Sequence, residues 1–317
     1  MATGNVEVAL AVKELVKVYP GRNHQPPVRA VDGMTFQVRR GEIFGLLGPN
    51  GAGKTTILKI LTTLLAPTSG RAEVLGHDVL AHPLQVRRAI SVVLQESAVE
   101  MFLTVRDNLV TFGKFHGQRL AEARERATAV LDMFHLAEHA GQKVQDLSGG
   151  LRRRVQVAKM FMVATPVMFL DEFSTGMDPI LKRAVLGYLR EEAARGRTIV
   201  LTTQVMSEAE ELCDEILIMH KGRTIAQGDL NSLKALSKDV YDVTLTFDRL
   251  PPTLERELQA LAPHRLHIEH NTVEMTLRAD EKRVLEIVGG IATQGRVLHV
   301  EISGPSLEDI FVELTKE

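Results

Sequence analysis

Short runs of consecutive apolar residues divide much of the chain into predicted strands. The runs at residues 43–47, 167–170 and 198–203 show little polar alternation, which is typical of strands buried on both faces of a parallel sheet. Helical stretches follow these runs, and Ser207 with Glu210 matches a capping box for one of those helices. We therefore predict an α/β core built on a mostly parallel sheet.

Two other patterns accompany this core. Residues 6–38 contain β-like runs on either side of a polar turn region. Residues 104–140 instead carry apolar positions at helical spacing, and Thr104 to Asp107 resembles a capping box with Asp in the Glu position. We predict a β region before the phosphate-binding segment described below and a helical insertion within the core.

The pattern changes again beyond about Ser237. Strand-like and helical stretches follow one another in the order βαββαβα, which is typical of a small ferredoxin-like α+β domain. The sequence shows no set of catalytic residues in this part. We predict two domains, at residues 1–236 and 237–317, with the chemistry in the first.

The composition narrows the classes of function. A formal net charge of −2 lacks the basic excess of a bulk nucleic-acid binder. The single cysteine, Cys213, excludes an internal disulfide framework and is typical of a reducing compartment. No apolar stretch approaches the roughly 18–20 residues needed to cross a bilayer. If the protein serves a membrane, another chain is expected to supply the membrane part.

A glycine-rich loop lies between the apolar run at residues 43–47 and a helical stretch. It matches the phosphate-binding pattern G-x-x-x-x-G-K-[ST] at a strand-to-helix turn. Its glycines let the backbone wrap a polyphosphate, while N–H groups and the helix dipole attract negative charge. The predicted nucleotide-binding residues of this loop are Gly48, Pro49, Asn50, Gly51, Ala52, Gly53, Lys54, Thr55 and Thr56.

Two side chains of this loop carry specific chemistry. Lys54 is predicted to reach the β- and γ-phosphates of a nucleotide, and Thr55 to offer its hydroxyl to Mg²⁺. The loop alone does not distinguish kinases, GTPases, helicases and transport ATPases. The choice among these classes depends on the rest of the chain.

A second predicted anion site follows the helical insertion. Ser148, Gly149 and Gly150 directly precede a helix expected at residues 152–163, and a helix N-terminus with glycines and a serine attracts anions. The arginine triplet at residues 152–154 is interpreted as a solvated helix face. A charged contact across an interface is the open alternative.

Carboxylates end the apolar run at residues 167–170. Asp171 is predicted to hold Mg²⁺, whereas Glu172 points in a different direction and can polarise a water for attack on the γ-phosphate. The alternative is a strand that ends in surface acids. Gln95, at the end of another strand-like run, is expected to reach Mg²⁺ or the attacking water, or else to be a surface residue.

Two further features have both a functional and a plain structural interpretation. Tyr19 stands beside a Pro-Gly turn, and the residues alone favour surface packing over stacking on a purine. His135 and His139 match the H-x-x-E-H zinc pattern. Because no third ligand is evident, two histidines at a solvated helix end are the favoured interpretation.

In their order along the chain, these motifs resemble the nucleotide-binding subunits of ATP-binding-cassette (ABC) transporters over roughly residues 6–236. The resemblance implies a P-loop ABC ATPase core that binds ATP and Mg²⁺. Its fold would be a mixed, mostly parallel sheet with an N-terminal antiparallel β subdomain and a helical subdomain at about residues 96–160. The implied roles are adenine stacking by Tyr19, Walker A at Gly48–Thr56, the Q-loop and Mg²⁺ contact at Gln95, the signature at Leu147–Leu151, Walker B at Val167–Glu172 and the D-loop at Ser174–Asp178.

The resemblance also implies partners. In this family two cassettes face each other head to tail, and each ATP lies between the Walker A of one and the signature of the other. Because the chain carries one cassette, a second ABC ATPase subunit is expected, as in a homodimer. Integral-membrane permease subunits and a place on the cytoplasmic face of the bacterial inner membrane are implied as well. No nucleic-acid partner is expected.

The chain departs from the family pattern at Leu151, Phe173 and Gln204, where the family usually has Gln, Pro and a switch histidine. Gln204 can still hydrogen-bond the γ-phosphate and Glu172, but its amide carries no positive charge. Glu172 and Gln204 are therefore the predicted catalytic pair. Gln204 in place of the switch histidine puts the rate of ATP hydrolysis in question more than whether hydrolysis occurs.

Three features resemble one branch of the family, the ATPases of daunorubicin-resistance-type exporters. These are the Leu-Thr-Thr-Gln pattern at residues 201–204, the arginine triplet and the segment Gly304–Phe311. We predict an ATPase that powers export of a drug, lipid or polysaccharide-like substrate through a separate permease. The alternative is a soluble or regulatory ABC ATPase that acts as a slow ATP-dependent dimerisation switch.

Overall fold

A computed structural model describes residues 7–21, 26–93, 99–237, 239–251, 254–261 and 263–315. Its contacts divide the chain into two compact units, Met1–Gln227 and Gly228–Glu317. Residues 228–236, which the sequence assigned to the first domain, group with the second unit. Within the described parts of the chain, no helix is both long and apolar enough to cross a membrane.

Strands and helices alternate through the first unit. Its strands are β1 (Val8–Tyr19), β2 (Val28–Arg39), β3 (Ile43–Leu47), β4 (Ser69–Val74), β5 (His77–Asp78), β6 (Ile90–Val93), β7 (Val167–Asp171), β8 (Thr198–Thr203), β9 (Glu215–His220) and β10 (Arg223–Gly228). Its helices are α1 (Lys54–Leu61), α2 (Pro83–Ala89), α3 (Val105–Phe115), α4 (Leu120–Met133), α5 (Gly149–Met160), α6 (Pro179–Ala194) and α7 (Met206–Leu212).

The central sheet has the strand order β10-β9-β3-β8-β7-β6. Strands β3, β7 and β8 are buried along their whole length, and they pair in parallel. Strand β6 also pairs in parallel with β7, and β9 with β3. The prediction of a buried, mostly parallel sheet is confirmed. The carboxyl ends of β3, β7 and β8 lie at one edge, so the residues that follow them come together.

A smaller antiparallel sheet has the order β2-β1-β4-β5. Strands β1 and β2 each span 12 residues, longer than the apolar runs alone indicated. Strand β1 continues because its pairing tolerates irregularities, one of them at Glu14, whose φ is 47°. This extension places Tyr19 at the end of β1.

The helical insertion contains α3, α4 and α5. The Thr104 hydroxyl accepts a hydrogen bond from the Asp107 N–H at 3.0 Å and caps α3, as predicted. Helix α5 begins at Gly149, before the predicted start at Arg152, because Ser148 is its N-cap and accepts from the Leu151 N–H. The signature glycines therefore form the first turn of α5.

The second unit contains α8 (Leu230–Lys234), β11 (Val240–Phe247), α9 (Leu254–Ala260), β12 (Arg265–Glu269), β13 (Thr272–Arg278), α10 (Glu281–Ala292), β14 (Val297–Ser303) and α11 (Leu307–Leu314). Its sheet has the order β12-β13-β11-β14, and the neighbouring strands pair antiparallel. From β11 onward, the predicted βαββαβα order is present. This arrangement fits the predicted ferredoxin-like α+β fold.

Candidate active site

The phosphate-binding loop connects β3 to α1. Helix α1 begins at Lys54, within the predicted phosphate-binding loop, and Gly53 is its N-cap with φ 108°. A Cβ atom added to Gly53 would lie 2.2 Å from the carbonyl oxygen of Ala30. Only glycine therefore satisfies both the backbone conformation and the close approach of β2 at this position.

Lys54 points back over the loop that precedes it. Its ammonium donates hydrogen bonds to the carbonyl oxygens of Gly48 at 2.6 Å and Pro49 at 3.1 Å, and lies 3.9 Å from Glu172 Oε1. The side chain is buried. Burial lowers the pKa of Lys54, and the carboxylates of Glu172 and Asp171 oppose that shift. The loop thus holds a buried cation beside two acids.

Asp171 ends β7 and is fully buried. Its Oδ1 atom accepts hydrogen bonds from the hydroxyls of Thr55, at 3.3 Å, and Thr202, at 2.5 Å. Its Oδ2 atom is buried and has no hydrogen-bond partner in the described structure. An unpartnered buried carboxylate oxygen next to a threonine hydroxyl fits Mg²⁺, which binds hard oxygen donors and retains several waters.

Glu172 follows with an unusual backbone conformation. Its φ is 45°, a left-handed value that residues with a side chain seldom adopt. Its N–H donates to the backbone oxygen of Thr202 at 3.1 Å and to the Thr202 hydroxyl at 3.2 Å. The side chain borders a cavity of about 520 Å³ that Gly149 and Gly176 also line. Glu172 therefore stands at a cleft beside the loop lysine.

The prediction that the arginine triplet forms a solvated helix face is wrong for Arg153 and Arg154. Arg153 is buried and donates to backbone oxygens of the turn that contains Asp171 and Glu172. Arg154 forms an ion pair with Asp178 Oδ2 at 3.0 Å. The available sequence signal was the spacing from Arg153 to Val157, which puts both residues on the side of α5 that faces the core.

The signature and D-loop segments meet in the structure. A Cβ atom added to Gly150 would lie 3.1 Å from the Gly176 carbonyl oxygen, whereas Ser148 and Gly149 are exposed. Asp178 caps α6 by accepting from the Leu181 N–H at 2.9 Å. That backbone hydrogen bond and Arg154 lower the pKa of Asp178. The second predicted anion site thus adjoins the turn after β7, and two of its three residues are exposed.

The remaining predicted site residues have different placements. The Tyr19 hydroxyl lies 3.4 Å from the Thr56 hydroxyl, and 36% of the residue is exposed, so an aromatic ring stands beside the start of α1. Gln204 follows β8 and is exposed. Gln95 lies outside the described residues. The histidines of the zinc pattern do not share a helix, because α4 ends at Met133 and His139 belongs to a 3-10 turn.

Sequence reasoning missed Glu208. It is buried and accepts hydrogen bonds from the hydroxyls of Ser174 at 2.6 Å and Thr203 at 2.9 Å, and it pairs with Lys182 at 2.5 Å. The capping box proposed for Ser207 and Glu210 is wrong, because α7 begins at Met206 and Ser207 is inside it. The Thr203 hydroxyl accepts from the Val205 N–H instead. Glu208 thereby connects the turn after β7 to the end of β8.

Comparison with known proteins agrees with this geometry. The family model described as "ABC transporter" matches residues 31–175. The daunorubicin/doxorubicin resistance ATP-binding protein DrrA of Streptomyces peucetius is 37% identical over 313 residues, which cover 97% of this chain and 92% of that protein. The Nod factor export ATP-binding protein I of Ralstonia nicotianae is 37% identical over 289 residues, with 90% and 88% covered.

Solved structures share the fold of the cassette. An ATP-binding subunit of an ABC transporter superposes with a TM-score of 0.65 at 29% identity, over 72% of this chain and 92% of that one. A dimeric ATP-binding cassette in a post-hydrolysis state, bound to ADP and phosphate, superposes with a TM-score of 0.65 at 24% identity, over 70% and 98%. The family and the fold predicted from the sequence are both confirmed. The chain belongs to the ABC transporter family, as one of its ATP-binding and ATP-hydrolysing subunits.

Proposed function

We propose that the chain powers export from a bacterial cell through a separate integral-membrane permease, at the cytoplasmic face of the inner membrane. The relatives named for daunorubicin and doxorubicin resistance and for Nod factor export support this proposal. Because those names refer to drug resistance and to export of a Nod factor, the substrate proposed here is a drug, lipid or polysaccharide-like molecule. The predicted division into a cassette at residues 1–236 and an accessory domain at 237–317 belongs to the same proposal.

The observation that carries the proposal is the convergence of Lys54, Thr55, Asp171 and Glu172 at the carboxyl ends of β3 and β7. In the proposed mechanism Lys54 binds the β- and γ-phosphates from a position already close to both acids. Thr55 and the free Oδ2 of Asp171 would hold Mg²⁺, which neutralises charge on the phosphate oxygens when bound. Glu172 accepts the proton of the attacking water.

The residues outside this group are assigned to the nucleotide and to a second subunit. Tyr19 is proposed to stack on adenine, since its ring is partly exposed beside Thr56. The exposed N-terminus of α5 at Ser148–Gly150 is proposed to bind the γ-phosphate held by a partner cassette. Asp178, which caps α6, and Gln204, which follows β8, are proposed to face the same nucleotide. The proposed assembly is a homodimer of this chain.

The substitution Glu172→Gln tests this proposal. It removes the base and keeps the shape, so ATP binding should persist while steady-state hydrolysis falls by at least about 100-fold. With ATP and Mg²⁺ the variant should also accumulate as a dimer, which light scattering detects. The matched control is Glu125→Gln, on the exposed face of α4. If hydrolysis survived in the Glu172→Gln protein, the assignment of the base would be wrong.

A further inference from the structure

The side chain of Arg153 reaches from α5 to the turn that carries the two catalytic-site acids. Its Nε donates to the carbonyl oxygen of Phe173 at 3.1 Å. Its NH2 group donates to the carbonyl oxygens of Asp171 at 2.7 Å and Glu172 at 2.6 Å. Its NH1 group donates to Gln156 Oε1 at 2.7 Å. One guanidinium thus holds the backbone oxygens of three consecutive residues.

This arrangement buries the positively charged guanidinium of Arg153, which is energetically unfavourable unless its donors are hydrogen-bonded. Arg153 is 7% exposed, and burial lowers its pKa, although the nearby charges of Asp171 and Glu172 oppose that shift. A buried cation is tolerated when its donors are satisfied, and the planar fork of arginine suits several acceptors in one plane. Lysine has a single terminal nitrogen and glutamine a shorter side chain with one NH₂ group, so neither reproduces the two nitrogens that donate to these three carbonyl oxygens. The position therefore requires the geometry of arginine.

The backbone that Arg153 holds is the unusual one. Glu172 has φ 45°, a conformation that persists only where the surroundings hold it in place. On one side the N–H of Glu172 is bound by the backbone oxygen of Thr202 on β8. On the other side the carbonyl oxygens of residues 171–173 are bound by Arg153. The direction of the Glu172 side chain depends on the backbone of this turn, which is hydrogen-bonded by Thr202 and by Arg153.

We propose that Arg153 is a positioning residue for hydrolysis, which holds the Glu172 carboxylate in the orientation that accepts the proton of the attacking water. This inference rests on the proposed role of Glu172 as the base. Arg153 lies in the second turn of α5, the helix whose first residues form the exposed anion site capped by Ser148. Arg153 thus links the helix that begins with these residues to the turn at Glu172.

The proposal predicts a defect in the chemical step and not in nucleotide binding. Arg153→Lys keeps the charge but replaces the fork by a single ammonium, and Arg153→Gln removes the charge as well. Because a misplacement of about 1 Å can cost roughly 100-fold in rate, we expect kcat to fall by about 10- to 100-fold, less for Lys than for Gln. The KM for ATP should stay within about twofold.

The control is Arg197→Lys, which alters a second buried arginine of the same unit. Arg197 is 5% exposed and donates to the carbonyl oxygens of Thr165, just before β7, at 2.8 Å and of Met160, at the end of α5, at 3.2 Å. This variant should lose stability without losing kcat per nucleotide-binding site. A fluorescent ATP analogue counts those sites in each full-length protein, so that misfolded material does not enter the rate.

The deciding measurement combines Arg153→Lys with Glu172→Gln under single-turnover conditions. If Arg153 acts through Glu172, the substitution at residue 153 lowers the rate in the otherwise native protein but adds at most about twofold in the Glu172→Gln background. Equal losses in both backgrounds, an unchanged kcat in both Arg153 variants, or loss of nucleotide binding in both would each overturn the proposal. Persistent hydrolysis in Glu172→Gln alone would instead overturn the role of Glu172.

Discussion

One methyl group at residue 53 should test how closely the phosphate loop is pressed against β2. In Gly53→Ala the new Cβ would stand 2.2 Å from the Ala30 carbonyl oxygen, and the backbone would have to keep φ 108°. The backbone strain costs about 1–3 kcal/mol, and relief of the overlap costs about another 1–3 kcal/mol. We therefore expect the free energy of unfolding of the first unit to fall by about 2–6 kcal/mol.

The matched control is Gly51→Ala in the same loop. Gly51 also has a positive φ, 81°, but no described atom beyond its chain neighbours lies within 4 Å of an added Cβ. This variant carries the left-handed strain of about 1–2 kcal/mol, partly offset by the reduced entropy of its unfolded chain. A net loss of roughly 1 kcal/mol is expected. The difference between the two variants isolates the contact with Ala30.

Stability should be measured on the full chain without nucleotide, so that contacts with a ligand do not enter. Because the chain has two compact units, a global probe would mix their transitions. Pulsed hydrogen exchange along a urea gradient, read by mass spectrometry on peptides from residues 43–61, reports on the loop and its flanking elements. If Gly53→Ala and Gly51→Ala differed by less than about 0.5 kcal/mol, the steric argument would be refuted.

Two further predictions concern the switch position and the second unit. Gln204→His introduces a side chain that can carry a positive charge at the position of the family's switch histidine. If the lack of that histidine makes the protein a slow switch, steady-state ATP hydrolysis should rise by about tenfold in this variant. An unchanged rate would show that the position matters little here. For Asp242, burial raises the pKa above its ordinary value, and the neighbouring Asp309 adds to the rise while the Thr276 hydroxyl opposes it. The stability that the Asp242 carboxyl contributes is therefore complete at acid pH and is lost as the pH rises through the raised pKa. Asp242→Asn should accordingly flatten the pH dependence of the free energy of unfolding and stabilise the second unit at neutral pH. Denaturation monitored by hydrogen exchange at β11 checks this, and a lower stability of the variant at neutral pH would contradict it.

The sequence by itself determined the elements whose signals are local. Continuous apolar runs identified β3, β7 and β8 because strands covered on both faces leave no polar alternation. The glycine-rich loop indicated nucleotide binding, because a phosphate-binding loop is built from residues that are consecutive in the sequence. Asp171 and Glu172 were predicted as an acidic pair from the same run. The order of these motifs was sufficient to indicate the family before any contact was known.

The tertiary structure alone decided which distant groups meet. Thr55 reaches Asp171, and Arg153 reaches the carbonyl oxygens that follow β7, although these partners are far apart along the chain. An arginine within a charged triplet has the same sequence pattern whether it is solvated or buried. Its burial depends on what packs against α5, and that surface is assembled only when the strands have paired. The left-handed turn at Glu172 is likewise stable only because β8 and α5 bind it from opposite sides.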